Sequence, residues 1–159
     1  MPVDVRRALP SDAKALLPLI REHAAFERSA ASCTMDTLRV ALSGEPPRLI
    51  AWIAEQSGEP LGYAAATVDF STWSGRTYLH LDCLFVGSDQ RGAGIGARLL
   101  RTARSFAASG GIAEMQWQTP EWNEDARRFY VREGASTARK VRFRLAVTGR
   151  QCIKRKKDD

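Results

Sequence analysis

The chain has 159 residues, a formal net charge of +6 and three cysteines. That length suits one domain with a substantial core, and no apolar run approaches the roughly 18 residues of a membrane span. Met1 to Arg7 carries charge at once and lacks a signal peptide's apolar stretch, and Cys33, Cys83 and Cys152 are odd in number and in no metal spacing. Reduced thiols in a cytoplasm, and a site without metal, are the expectation.

Val3 and Val5 open a short strand. Ser11 is placed to cap a helix with Leu16, Leu17, Ile20 and Ala24 along one face, and Pro18 inside that pattern should kink or divide it. A second helix is expected from Thr34 to Leu42, ended by Gly44. Leu49 to Glu55 and Leu61 to Val68 read as strands joined by a Ser57-Gly58-Glu59-Pro60 turn, a hairpin. Tyr78 to Val86 is the next strand, and Asp89-Gln-Arg-Gly-Ala-Gly-Ile-Gly96 follows it directly. The helix that opens there, Gly94 to Ala108, carries Ile95, Leu99, Ala103 and Phe106 on one side and stops at Gly110-Gly111.

Ala113 to Gln118 alternates as a strand. Asn123 then caps a helix with Glu124 and Asp125 in its first turn and Gly134 just past its end. Val141, Phe143 and Leu145 alternate with Arg142 and Arg144 as a closing strand. After Thr148 five Arg or Lys face two Asp, so 148–159 is expected to be a basic, flexible tail behind a single domain at 1–147. Early hairpins and later strand–helix units imply an α/β fold with a sheet of mixed direction.

Strand, basic residue, glycine cluster and helix form an arrangement for holding a pyrophosphate on backbone amides. The dinucleotide fingerprint fails here, because the third glycine slot after Gly94 and Gly96 holds Leu99. A P-loop fails as well, since no Lys follows the glycines. What remains, Arg91-x-x-Gly94-x-Gly96, resembles the acyl-coenzyme A loop of the GNAT family of N-acetyltransferases. The later segment Asn123-x-x-Ala126-x-x-Phe129-Tyr130-x-x-x-Gly134-Ala135 resembles a second GNAT motif at the expected distance.

That resemblance implies a mostly antiparallel twisted sheet flanked by helices, with two central strands splayed apart around the pantetheine arm of acetyl-CoA. The backbone of Leu84, Phe85 and Val86 would pair with the arm. Arg91, Gly92, Ala93, Gly94, Ile95, Gly96 and Ala97 would cradle the pyrophosphate, and Asn123 would lie across the arm. Tyr130 is the candidate general acid, since a phenol of pKa near 10 can protonate a departing thiolate of pKa about 8.5 within hydrogen-bond reach. Asp82 is the candidate base, two positions from Leu84 and so expected on the same strand face. His80 is the alternative base.

Further segments resemble the diamine branch of the family, the spermidine/spermine and thialysine type. Phe26-Glu27 stands where that branch has Tyr-Glu, and Ser71-Thr72-Trp73-Ser74-Gly75-Arg76 matches its Ser-Thr-Trp-x-Gly-Arg. The third segment departs from the pattern: Leu81-Asp82-Cys83-Leu84-Phe85-Val86 replaces Leu-Glu-Asp-Leu-Tyr-Val, with one carboxylate fewer. Glu27 and Asp82 would still grip a short diamine or a lysine analogue, with Trp73 and Trp122 as walls or cation contacts. The resemblance also implies a homodimer. Another acceptor, such as a protein lysine or an antibiotic amine, and a catalytically silent acetyl-CoA-binding module are the competing readings. Nucleic-acid binding would want aromatic residues interleaved with basic ones on a sheet, and Arg142-Phe143-Arg144 is a single such patch.

Overall fold

The computed structural model describes residues 1–148, so the basic tail lies outside the described residues apart from Thr148. Two compact units are distinguished, Met1–Glu124 and the segment from Asp125 onward. The first holds a five-stranded sheet in the order β1-β2-β3-β4-β5. Its strands are β1 (Asp4–Arg7), β2 (Ile50–Gln56), β3 (Glu59–Ser71), β4 (Arg76–Val86) and β5 (Met115–Gln116). The first three neighbour pairs are antiparallel and β4 with β5 is parallel. The helices are α1 (Ala13–Phe26), α2 (Met35–Leu42) and α3 (Ile95–Ser109), with α4 (Glu124–Arg132) leading into the second unit.

The sheet separates two apolar layers. On one side, Leu16 and Leu19 of α1 meet Ala51, Ile53, Tyr63, Ala65 and Phe85 of the strands. On the other, Phe106 of α3 meets Trp52, ring to ring at 5.5 Å. Leu99 and Ala103 of α3 are fully buried. Burying one such leucine contributes on the order of 1.5–3 kcal/mol, which is why the 3.6-residue spacing of α3 outweighs the arginines on its outer side.

Helix α1 does not start as its sequence suggests. A short 3-10 turn, Pro10–Asp12, precedes it, and Ser11 is no cap. Asp12 instead accepts from the Leu9 amide at 2.7 Å and from both terminal nitrogens of Arg6, at 2.8 and 2.9 Å. Arg6 also reaches Glu55, so one guanidinium ties β1, the turn and β2 together. Beside Arg6, the Asp12 carboxyl is held below its usual range. Pro18 does not divide α1, which runs unbroken from Ala13 to Phe26. The proline lies inside the helix and removes one intrahelical bond, the one position 18 would make to the carbonyl of Lys14.

Helix α2 lies where expected, and Thr34 caps it, with Thr34 and Thr37 exchanging side-chain and backbone bonds at 2.9 and 3.2 Å. The β2–β3 hairpin turns through Ser57-Gly58, with Gln56 facing Glu59. The closing strand expected at 141–145 does not form, and residues 135–148 have no regular structure. Val141, Phe143, Leu145 and Val147 stand exposed, Phe143 at 89%. Alternation alone makes no strand where no neighbour takes up its backbone bonds.

Candidate functional site

Two features of β4 shape the site. The first is a bulge. Leu81 faces Ala66 and Cys83 faces Ala65, so Asp82 is an extra residue with no opposite number on β3. The bulge corrects the period-2 expectation that Asp82 shares a face with Leu84. Cys83 and Phe85 belong to the α1 side, in the layer of Tyr63 and Ala65. Leu84 faces Ala64, in the row of Trp52 on the α3 side. The Asp82 carboxylate lies 3.8 Å from His80 Nε2 and accepts from Cys83 Sγ at 3.7 Å, which sets it on the α1 side.

The second feature is a parting of strands. β4 and β5 pair only at Leu79 with Met115 and His80 with Gln116. From Asp82 to Val86 the described β4 edge has no ladder with β5, which is the splay the resemblance implies.

Past Val86 the chain makes a 3-10 turn at Ser88–Gln90 and enters the glycine loop. Gly92 and Gly94 take φ of +83° and +76°, a left-handed backbone that lets the loop fold onto the start of α3. The first helical bond of α3 runs from Arg98 N to Gly94 O at 3.1 Å, which leaves the amides of 95–97 without an intrahelical partner. No acidic residue stands in that first turn, and a Cβ at Gly92 or Gly94 would meet open space. Positive helix end, outward amides and clear approach fit a pyrophosphate. Arg91 braces the loop: its Nε donates to Val86 O at 3.1 Å and its guanidinium covers Phe26 at 4.4 Å.

Glu27 ends α1 on the same side of the sheet as Asp82. Its Oε1 lies 3.4 Å from His23 Nε2, and His23 Nδ1 is 3.0 Å from the Tyr63 hydroxyl. His23 stacks on Phe85 with ring centres 4.9 Å apart, and Phe26 meets both Phe85 and Trp122. Arg28 also covers Trp122, its guanidinium 4.6 Å from the ring centre. Glu27, Asp82, Phe85, Arg91 and Trp122 thus line one region of the first unit.

Burial lowers the pKa of His23, against the fields of Glu27 and Asp82. Burial also pushes the Tyr63 phenol well above its usual range and the Cys83 thiol up to about 12. A thiol so poorly ionised is a weak nucleophile.

Trp73 does not join this region. It sits at the tip of the β3–β4 hairpin, 98% exposed, with about 20 Å of strand between Arg76 and Asp82 at ~3.3 Å per residue. Tyr130 lies on α4 in the second unit, half-buried, with its ring 5.1 Å from that of Phe129. Asn123 precedes α4, its amide bonded to Pro120 O at 2.9 Å. His23 and Tyr63 are site groups that sequence patterns alone do not single out. The one signal for His23 is its i,i+4 spacing to Glu27 on α1.

Residues 17–135 match the acetyltransferase (GNAT) family. A thialysine N-epsilon-acetyltransferase of Bos taurus is 31% identical over 143 residues, covering 84% of each chain. An uncharacterised N-acetyltransferase of Bacillus subtilis (strain 168) is 31% identical over 132 residues, covering 83% of this chain and 89% of its own. Among solved structures, an aminoglycoside acetyltransferase from an uncultured soil metagenomic sample superposes with a TM-score of 0.79 at 19% identity, over 92% of this chain and 97% of that one. The shared fold, the glycine loop and these relatives lead to one statement of kinship: the chain belongs to the GNAT family and is an N-acetyltransferase.

Proposed function

We propose that the enzyme moves an acetyl group from acetyl-CoA to a primary amine of a small cationic acceptor (a diamine, polyamine or lysine analogue) by direct attack. The observation that carries this reading is the gathering of Glu27 and Asp82 with Phe85 and Trp122 on one side of β4, beside the glycine loop. The thialysine N-epsilon-acetyltransferases of cattle and pig, at 31% and 30% identity, support the acceptor class.

Bound acetyl-CoA supplies an activated acetyl thioester. The amides of Gly92, Ala93, Gly94, Ile95, Gly96 and Ala97 hold its pyrophosphate, and Arg91 holds their loop to Val86. The open edge of Leu84, Phe85 and Val86 takes the extended arm and polarises the reacting carbonyl, with Asn123 on the arm's other side. Glu27 and Asp82 attract the acceptor's ammonium groups. Asp82 then draws a proton from the attacking amine, directly or through water, and Tyr130 returns one to the departing sulfur.

Residues 1–147 work as one catalytic domain in this reading, in the cytoplasm. The exposed apolar side chains of Val141, Phe143, Leu145 and Val147 support a homodimer that covers them.

The test is thiol release from acetyl-CoA against spermidine, spermine, putrescine, thialysine, lysine and an aminoglycoside. Turnover of a short diamine or lysine analogue is expected, and Tyr130→Phe should lower its kcat by about a hundredfold or more. Turnover of the aminoglycoside alone would move the acceptor to the antibiotic class. Tight coenzyme binding with no turnover of any amine would make the chain a silent binding module.

A further inference from the structure

Between the two acidic residues lies a side-chain network with no place in the proposed reaction. Tyr63 is 1% exposed and has His23 Nδ1 at 3.0 Å. A buried phenol stays protonated, and assigning its O–H to Nδ1 leaves the imidazole proton on Nε2, facing Glu27 Oε1 at 3.4 Å. Stacking on Phe85 fixes the ring plane. The Cys83 thiol, beside Tyr63, donates to Asp82. The groups that act on His23 are Glu27 on its own helix, Tyr63 on β3, Asp82 on β4 and Arg91 on the loop.

The imidazole side chain is only 15% exposed, and a histidine placed so deep needs both nitrogens satisfied. A structural role alone would be met by any two partners. Here the outward partner is the carboxylate proposed to receive the acceptor's charge. A neutral imidazole that donates to Glu27 aims the carboxylate and leaves its full negative charge for an incoming ammonium. An imidazolium would cancel that charge and repel the cation.

We infer that His23 is a positioning residue for the acceptor: held by Tyr63 and Phe85, it orients Glu27 in its neutral form and weakens cation binding when it becomes protonated. This rests on the reading of Glu27 as an acceptor-binding residue. It assigns the enzyme an acid-side limit on amine affinity that does not involve the catalytic base.

The test measures KM for thialysine and putrescine, and KM for acetyl-CoA, between pH 5.5 and 8.5 in wild type, His23→Gln and His23→Phe. Gln keeps an N–H donor near the Nε2 position but does not titrate. Phe keeps the stacking on Phe85 and loses both nitrogens. A lost hydrogen bond to a charged group predicts about a tenfold rise in amine KM for His23→Phe at pH 8, with acetyl-CoA KM within about twofold. His23→Gln should keep the wild-type amine KM at pH 8 and lose its rise below pH 6.5. Nitrogen-15 spectra of the wild-type imidazole should show the Nε2–H tautomer at pH 7.

Amine KM values and pH profiles unchanged in both variants would overturn the inference while leaving the acetyltransferase reading intact. An Nδ1–H tautomer would also overturn it, whether or not the variants fold. Absence of wild-type turnover with every amine would remove both readings together.

Discussion

The coenzyme side and the acceptor side of this molecule are built from different materials. The glycine loop is backbone: eight consecutive residues, Asp89 to Gly96, turn on two left-handed glycines and present amides at a helix start. The acceptor side is made of side chains from separate segments, His23 and Glu27 on α1, Tyr63 on β3, Asp82 and Cys83 on β4. A backbone site needs only local conformation, so it is written contiguously. A side-chain site exists only once the sheet has formed, and its chemistry depends on burial.

Three perturbations would sharpen or break that contrast. The largest is Gly94→Val. A β-branched residue at φ +76° carries strain of about 1–3 kcal/mol, so acetyl-CoA KM should rise about tenfold while amine KM stays within about twofold. Equal loss of both affinities would show that the two sides are not separable.

Next comes Gly62→Ala, which acts on the seam between them. A Cβ there would meet Phe85 O at 2.6 Å and Val86 Cα at 3.1 Å, both backbone atoms that cannot swing aside. Forced separation of β3 from the end of β4 should lower stability by about 1–3 kcal/mol, read as a fall in thermal midpoint. An unchanged midpoint would mean that the strands tolerate the extra carbon.

The smallest effect is a pH dependence of stability. Burial depresses the pKa of His23 in the fold, so between that value and about 6.5 the unfolded chain binds more protons than the native one. Stability therefore rises with pH across this window and is lost as pH falls below 6.5. Urea unfolding at pH 7.5 and 5.5 should show a smaller drop for His23→Gln than for wild type. An equal drop in both would place the acid sensitivity elsewhere, for example at Asp12.

The loop, the β2–β3 hairpin, α2 and the start of α4 are legible in the sequence because each is decided within a few residues. Where sequence and structure part, a long-range partner is the reason. Ser11 has the chemistry of a cap, but Arg6, on another element, claims Asp12 beside it. Val141, Phe143 and Leu145 alternate well, yet among the described residues they form no strand, because a strand needs a partner that alternation does not supply. Counting by twos puts Asp82 on the wrong face, because it cannot see an inserted residue. His23 reads as an ordinary core histidine until Tyr63, 40 positions away, is placed against it.

The bulge at Asp82 carries a consequence for how β4 can vary. It works as a change of phase within one strand: Leu79 and Leu81 answer to one layer, Cys83 and Phe85 to the opposite one. Residues downstream of it can therefore be exchanged for another acceptor without disturbing the upstream odd-numbered positions. Removing Asp82 would leave Leu81 on Ala66 and Cys83 on Ala65, so the strand would return to plain alternation with Cys83, Leu84 and Phe85 on the faces they have now. A chimera that pairs β4 straight through this point with every residue kept would slip the register by one and exchange the enzyme's two interiors, so the extra residue must stay bulged or be left out.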